Sequence, residues 1–144
     1  NRYEFKFINV NAATTAGEFR ARFSNDGGST FISTASAYNY GHGYVVNYSP
    51  VQAANTYFVI TPLLPVKNYN GGHGNLTILN RGSTSVKAHC SYTISHEVWN
   101  STSIAMYQGA AYLSSTGNAV DYIRFYTQTG NLGSGSILLY GLPD

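Results

Sequence analysis

Apolar and polar residues alternate along most of this chain, and this alternation constrains the fold more than any other feature. It is clearest in residues 18–23 (EFRARF), 86–94 (VKAHCSYTI) and 121–127 (DYIRFYT). A period of two is typical of a β-strand with one buried face. The phase slips at Val10, which predicts a β-bulge near Asn9. No window of a dozen residues keeps a helical stripe, and residues 49–55 (SPVQAAN) predict at most one short helical turn.

Turn-forming residues separate the strand candidates. They occupy residues 25–28, 40–44, 68–74, 80–82, 114–118 and 129–135. In SNDGGSTF, residues 24–31, Asp and Gly supply the positive φ that a tight hairpin turn needs, whereas a calcium loop needs several more acidic ligands than Asp26. Pro62 and Pro65 predict a sheet edge or crossover. Eight or more short strands therefore form one all-β domain over residues 1–144, either a sandwich or a closed barrel.

Composition and charge limit the classes of partner. Only 10% of residues are charged and the net charge is +2, which argues against nucleic acid as a partner. No apolar run approaches the length of a membrane span, so we expect no membrane insertion. The single cysteine, Cys90, excludes an intrachain disulfide, and its place in an alternating strand predicts a small buried hydrophobe.

The residues that carry catalysis or bind metals are few and scattered. The six acids are Glu4, Glu18, Asp26, Glu97, Asp121 and Asp144. No two of them are placed by the sequence as the facing carboxylates of a glycosidase. His42 and His73 each lie in a GHG triplet, and we interpret them as exposed loop residues rather than metal ligands. We therefore expect a protein that is not an enzyme, with no catalytic, cofactor-binding or metal-binding residues.

Aromatic residues are the remaining candidates for a functional surface. The chain has 13 tyrosines, and several cluster around the first GHG triplet. The candidate contacts with a partner or a glycan are Tyr38, Tyr40, Tyr44, Tyr48 and Trp99. Exposed rings of this kind stack on sugars or on a partner protein. The alternative is that they pack at a sandwich rim or a subunit interface with their hydroxyls in water.

Two stretches resemble a known class of domain. Residues 3–31 (YEFKFINVNAATTAGEFRARFSNDGGSTF) are similar to the opening of β-rich domains in virion proteins of tailed bacteriophages, many of them tail or tail-fibre proteins. Residues 120–142 (VDYIRFYTQTGNLGSGSILLYGL) resemble the closing hairpin of the same domains. The two stretches occur in the same order and at about the same separation as in those domains. The central region matches only in character.

The resemblance implies a jelly-roll-like antiparallel β-sandwich at the virion surface. Its partners would be itself, as a homotrimer, other virion proteins and a host-surface glycan. It would act as a tail or fibre adhesion module or as a head decoration protein, through rigid and multivalent contacts. The alternative is a carbohydrate-binding, lectin-like module. A glycan depolymerase is the third hypothesis and has only scattered acids to support it.

Overall fold

The computed structural model describes residues 2–44, 51–66, 68–79, 85–98, 101–114 and 119–142. These ranges contain strands and no helix. The strands are β1 (Arg2–Ala12), β2 (Gly17–Ser24), β3 (Tyr38–Tyr44), β4 (Val51–Asn55), β5 (Phe58–Leu64), β6 (Gly72–Leu79), β7 (His89–Glu97), β8 (Ile104–Leu113), β9 (Tyr122–Thr127) and β10 (Leu132–Leu142). All pairs between these strands are antiparallel. The expected all-β antiparallel sandwich is confirmed.

Two sheets of unequal width form the sandwich. The wide sheet has the order β10-β1-β6-β7-β8-β3-β4, and the narrow sheet has the order β5-β2-β9. Their facing sides bury one apolar cluster, in which Phe19, Ala21 and Phe23 have no exposed surface, as their alternation predicts. The inward residues of β7 and β8 are mostly buried, whereas most residues of the edge strand β10 are exposed.

The two stretches that carry the phage resemblance pair with each other in both sheets. β1 pairs with β10 from Arg2↔Leu142 to Ala12↔Leu132, and β2 pairs with β9 from Phe19↔Thr127 to Ser24↔Tyr122. The Phe125 ring in β9 lies 5.3 Å from the Phe7 ring in β1, in an edge-to-face contact that joins the two sheets. Residues far apart in sequence thus form one contiguous half of the sandwich.

The predicted bulge in β1 is confirmed. Asn9 has a φ of 50°, and the pairing of β1 with β6 shifts register between Phe7 and Val10. Asn tolerates this left-handed conformation better than most residues. Its side-chain carbonyl accepts a 2.8 Å hydrogen bond from the Gly71 backbone amide, which fixes the bulge against the start of β6. The extra residue returns Val10 to the buried face.

Two expected hairpins are wrong. The turn after β2 does not lead to a paired strand; residues 25–37 instead cross from the narrow sheet to β3 in the wide sheet. The positive φ values are nevertheless found at Gly27 (72°) and Gly28 (82°). Likewise β9 and β10 lie in different sheets, so residues 120–142 do not form a closing hairpin.

Several local expectations are also corrected. Residues 40–44 form part of β3 rather than a turn, and residues 51–55 are strand β4 rather than a helical turn. His73 belongs to β6 and is exposed, whereas Val86 precedes β7 and is 51% exposed. The edge predicted from Pro62 is confirmed, since β5 pairs only with β2. Cys90 is fully buried, as expected, and burial raises the pKa of its thiol.

Candidate binding surface

The outer face of the wide sheet carries two parallel rows of uncharged residues, most of them polar. Strand alternation turns Tyr92 and Ile94 into the core, so the residues beside them point to solvent. Register then aligns Thr77, Ser91, Ala110 and Gly41 in one row and Asn75, Thr93 and Gln108 in the next. Neighbouring members of a row stand about 4.8 Å apart, the spacing of paired strands.

These rows line a shallow depression, which we name the outer trough. Its volume is about 440 Å³. The hydrogen-bonding side chains along it are Asn75, Thr77, Ser91, Thr93 and Gln108. Where Gly41 pairs with Ala110, the absence of larger side chains keeps the floor low. No Asp, Glu, Lys or Arg lines it within the described part of the chain.

Most polar side chains of the outer trough have no hydrogen-bond partner among the described residues. The hydroxyls of Thr77, Ser91 and Thr93 and the amide of Gln108 make no side-chain hydrogen bond to any described residue. Asn75 is different, because its amide nitrogen donates a 3.0 Å hydrogen bond to the Glu4 carboxylate. Hydroxyl and amide groups both donate and accept, so the trough presents mixed hydrogen-bonding capacity to solvent.

A second depression of about 590 Å³ continues the trough over the same floor of Gly41 and Ala110. Asn39, His89 and Tyr112 line it. The Tyr112 ring is 38% exposed, and the Lys87 ammonium nitrogen lies 4.9 Å from the ring centroid. The two depressions together offer polar groups beside one exposed aromatic face, within the usual volume range of small-molecule sites.

The tyrosines singled out by the sequence do not form one surface. Tyr38 has no exposed surface; its hydroxyl is hydrogen-bonded in the core, so it is a core residue rather than a partner contact. Tyr40 is half-buried and stacks parallel to His42, with ring centroids 6.0 Å apart. Tyr44 is also half-buried, and its ring lies 5.3 Å from that of Tyr107. Tyr48 and Trp99 lie outside the described residues.

His42 and His96 are buried on the inner face of the wide sheet, on either side of Tyr107. His42 is 8% exposed, which corrects the expectation of an exposed loop histidine. The His96 Nδ1 donates to the Glu97 carbonyl at 2.9 Å, so in the neutral ring Nε2 accepts from the Thr61 hydroxyl at 3.0 Å. Burial lowers the pKa of both imidazoles, which favours their neutral form.

The acids serve local structural roles in the described part of the chain. Glu18 forms an ion pair with Arg20 at 2.7 Å, and a Glu97 carboxylate oxygen accepts hydrogen bonds from Asn70. Asp121 accepts a 2.8 Å hydrogen bond from the Gly27 amide. No group of three or more His, Cys, Asp or Glu residues with the spacing of a metal site occurs among the described residues.

A second surface is apolar and lies at the edge formed by β10. Five of the nine exposed large hydrophobic side chains of the described residues lie on or beside this edge: Ile8, Tyr122, Leu138, Leu139 and Tyr140. Strand alternation places Leu138 and Tyr140 on the outer face of the wide sheet and Leu139 on the face towards Tyr122. We name them the edge patch. Between the open edges of β9 and β10 is a groove of about 360 Å³, with Leu139 on one side and Tyr122 on the other. Unprotected edges of this kind promote pairing with another chain.

Comparisons with protein-family models, curated proteins and solved structures find no match for this chain. In the described ranges, no helix has the length and apolar character needed to cross a membrane. The candidate surfaces therefore rest on the geometry given above. The sequence signal for the outer trough was the alternation of polar residues in β6, β7 and β8. None of these polar residues was among the candidate contacts predicted from the sequence, which are all aromatic.

Proposed function

We propose that this chain is a non-enzymatic structural domain displayed on the surface of a tailed-phage particle. It acts as a tail or fibre adhesion module, or as a decoration protein of the head, in several copies per particle. One observation carries the proposal: the two stretches that resemble phage virion domains are mutual strand partners in both sheets.

The rigid connection between the two sheets suits a domain that presents a binding surface on a particle. Tyr38 and Tyr92 of the wide sheet each form a hydrogen bond with the backbone of the narrow sheet, at 2.7 Å in both cases. These bonds fix the two layers together, so the outer trough is held on a rigid support. A rigid domain loses little conformational entropy on binding, which favours weak contacts repeated over several copies.

The edge patch supports association between copies of the chain. Neither a charged residue nor a proline interrupts β10, although natural open edges are commonly protected by such residues. Strand β10 is separated by β1 from β6, the nearest strand of the outer trough, so we expect copies joined edge to edge to leave the trough open. We propose that the copies associate, as a homotrimer, with the edge patch buried between them.

Quantitative mass spectrometry of purified particles tests this function. Particles from the source of the sequence are banded in a density gradient, and peptides of this chain are counted against those of the major capsid protein. We expect the chain in the particle band, in a fixed ratio of several copies per particle. Detection only in the unbanded lysate contradicts the proposal.

A carbohydrate-binding module outside any particle is the second candidate. The outer trough favours it, because uncharged hydroxyl and amide groups beside an exposed Tyr112 suit a sugar. The same mass spectrometry separates the two candidates. Glycan binding by a chain that is absent from particles supports the second candidate and excludes the first.

A further inference from the structure

Four of the five hydrogen-bonding side chains named for the outer trough make no side-chain hydrogen bond to a described residue, and the fifth, Asn75, donates to Glu4. Of these four, Ser91 and Gln108 are exposed and Thr93 is half-buried, whereas Thr77 is only 8% exposed. In the free protein, water satisfies these groups. A ligand that carries many hydroxyls can replace that water and keep the hydrogen bonds, whereas an apolar ligand leaves them unpaired.

The charges around the trough select an uncharged ligand. The charged residues beside the two depressions are few and of both signs: Glu4 and Lys6 lie on the neighbouring strand β1, and the Lys87 ammonium nitrogen lies 4.9 Å from the Tyr112 ring centroid. A nucleic acid requires several cations along its phosphates, and none lines the trough. The electrostatics are therefore matched to a neutral polar molecule.

The residue composition of the trough lining argues against a second copy of the chain as its occupant. The core of a protein interface is normally apolar and aromatic, whereas the central lining here is Asn, Thr, Ser and Gln. The exposed apolar side chains suited to self-association lie instead at the edge patch. Tyr112, whose ring is 38% exposed, offers a face on which a sugar ring can stack.

We propose that the outer trough binds a neutral oligosaccharide. The hydroxyl and amide rows hydrogen-bond to the sugar hydroxyls, and the Tyr112 face contacts the apolar side of one sugar ring. The floor at Gly41 and Ala110 lets the ligand approach the sheet closely. This inference rests on the proposed function, because it names the class of molecule that the displayed domain binds.

The first test is a binding assay with immobilised neutral oligosaccharides of two to eight hexose and N-acetylhexosamine units. The purified chain, in its native oligomeric state, is applied at increasing concentration, and the affinity for the best oligosaccharide is then measured by calorimetry. We expect Gln108→Ala and Thr93→Val each to weaken binding about tenfold, as expected for the loss of a hydrogen bond worth about 1.4 kcal/mol. Thr93→Val keeps the branched shape that suits a strand.

Matched controls use the same substitution elsewhere. Gln128→Ala changes an exposed glutamine that follows β9, away from the trough, and we expect no change in affinity.

A second trough variant, Ala110→Arg, places a bulky side chain on the floor and is expected to abolish binding while the folded state persists. Circular dichroism of each variant verifies the fold before binding is measured.

Three outcomes overturn the inference. They are no binding to any neutral oligosaccharide, binding restricted to anionic glycans, and binding that Gln108→Ala, Thr93→Val and Ala110→Arg all leave unchanged. None of these outcomes bears on whether the chain is part of the particle. The mass spectrometry described above therefore decides the proposed function separately. If the chain is absent from particles but neutral glycans bind at the trough, the ligand class stands and the proposed function fails.

Discussion

The hydroxyl of Tyr38, in the wide sheet, accepts a 2.7 Å hydrogen bond from the backbone amide of Phe23, in the narrow sheet. The same hydroxyl donates to the Ile32 carbonyl at 3.0 Å, in the crossover between the sheets. Burial raises the pKa of this phenol, so it stays protonated and can serve both partners. One side chain therefore ties together both sheets and the segment that joins them.

Removing this hydroxyl is expected to destabilise the sandwich. Tyr38→Phe leaves the Phe23 amide buried without a partner, a loss of about 1–3 kcal/mol in the free energy of unfolding. Urea denaturation at neutral pH measures the change. Tyr122→Phe is the control, because Tyr122 is 56% exposed, and we expect its effect to be near zero. Equal stability of both variants contradicts the structural role of the Tyr38 hydroxyl.

The buried histidines predict a loss of stability on acidification. In the folded chain His42 and His96 have lowered pKa values, whereas in the unfolded chain they protonate near the ordinary value of 6.5. Below about pH 6.5 the unfolded state therefore binds more protons, and the free energy of unfolding falls by up to about 1.4 kcal/mol per pH unit for each histidine. The fall ends when pH passes the folded pKa values.

Denaturation curves between pH 7.5 and 5 check this dependence. We expect His96→Gln to flatten the slope, because the amide can still hydrogen-bond to Thr61 but does not titrate. His73→Gln changes an exposed histidine and should keep the slope of the unmodified protein. A slope that His96→Gln leaves unaltered argues against a neutral, buried His96.

The loop after β2 depends on the ionised Asp26. Its carboxylate accepts hydrogen bonds from the Thr30 hydroxyl, the Thr30 amide and the Ser24 hydroxyl, which lower its pKa to about 2. This stabilisation is present above the unfolded pKa of 3.8 and is lost as pH falls through about 2. We expect Asp26→Ala to lower the melting temperature at pH 6. A difference in melting temperature that persists unchanged below pH 2 contradicts this assignment.

The edge patch predicts a change of oligomeric state. Leu139 is 57% exposed on an open strand, so Leu139→Lys introduces a charge at the proposed contact without disturbing the core. We expect the proposed trimer to dissociate into monomers, measured by light scattering after size-exclusion chromatography. Val86→Lys, at another exposed apolar residue, should leave the trimer intact. A trimer in both variants places the contact elsewhere.

The sequence alone predicted the strands better than their arrangement. Alternation in EFRARF predicts the buried face of β2, because the side chains of a strand alternate between its two faces. It does not reveal that β2 pairs with β5 and β9, which are remote in sequence, so the hairpin expected at residues 24–31 was wrong. The glycines beside His42 indicated a turn, but within β3 they flank a buried side chain.

For the candidate site too, the sequence predicts which side chains point outward but not which strands are neighbours. The polar positions of β6, β7 and β8 follow from alternation, but the rows exist only because these strands are neighbours and their register aligns Asn75, Thr93 and Gln108. The described tyrosines of the predicted aromatic cluster share the inner face of β3 and are not an exposed cluster. Tyr38 turns into the core at the start of β3, while Tyr44 lies half-buried at its end.

Immunogold electron microscopy of intact particles tests the central claim most directly. Antibody raised against the purified chain is applied to undisrupted particles from the source of the sequence, beside particles treated with pre-adsorbed antibody. We predict gold on the surface of intact particles, at the tail or fibre tips for an adhesion module or over the head for a decoration protein. Particles that stay unlabelled when intact and when disrupted would contradict the assignment to the virion surface.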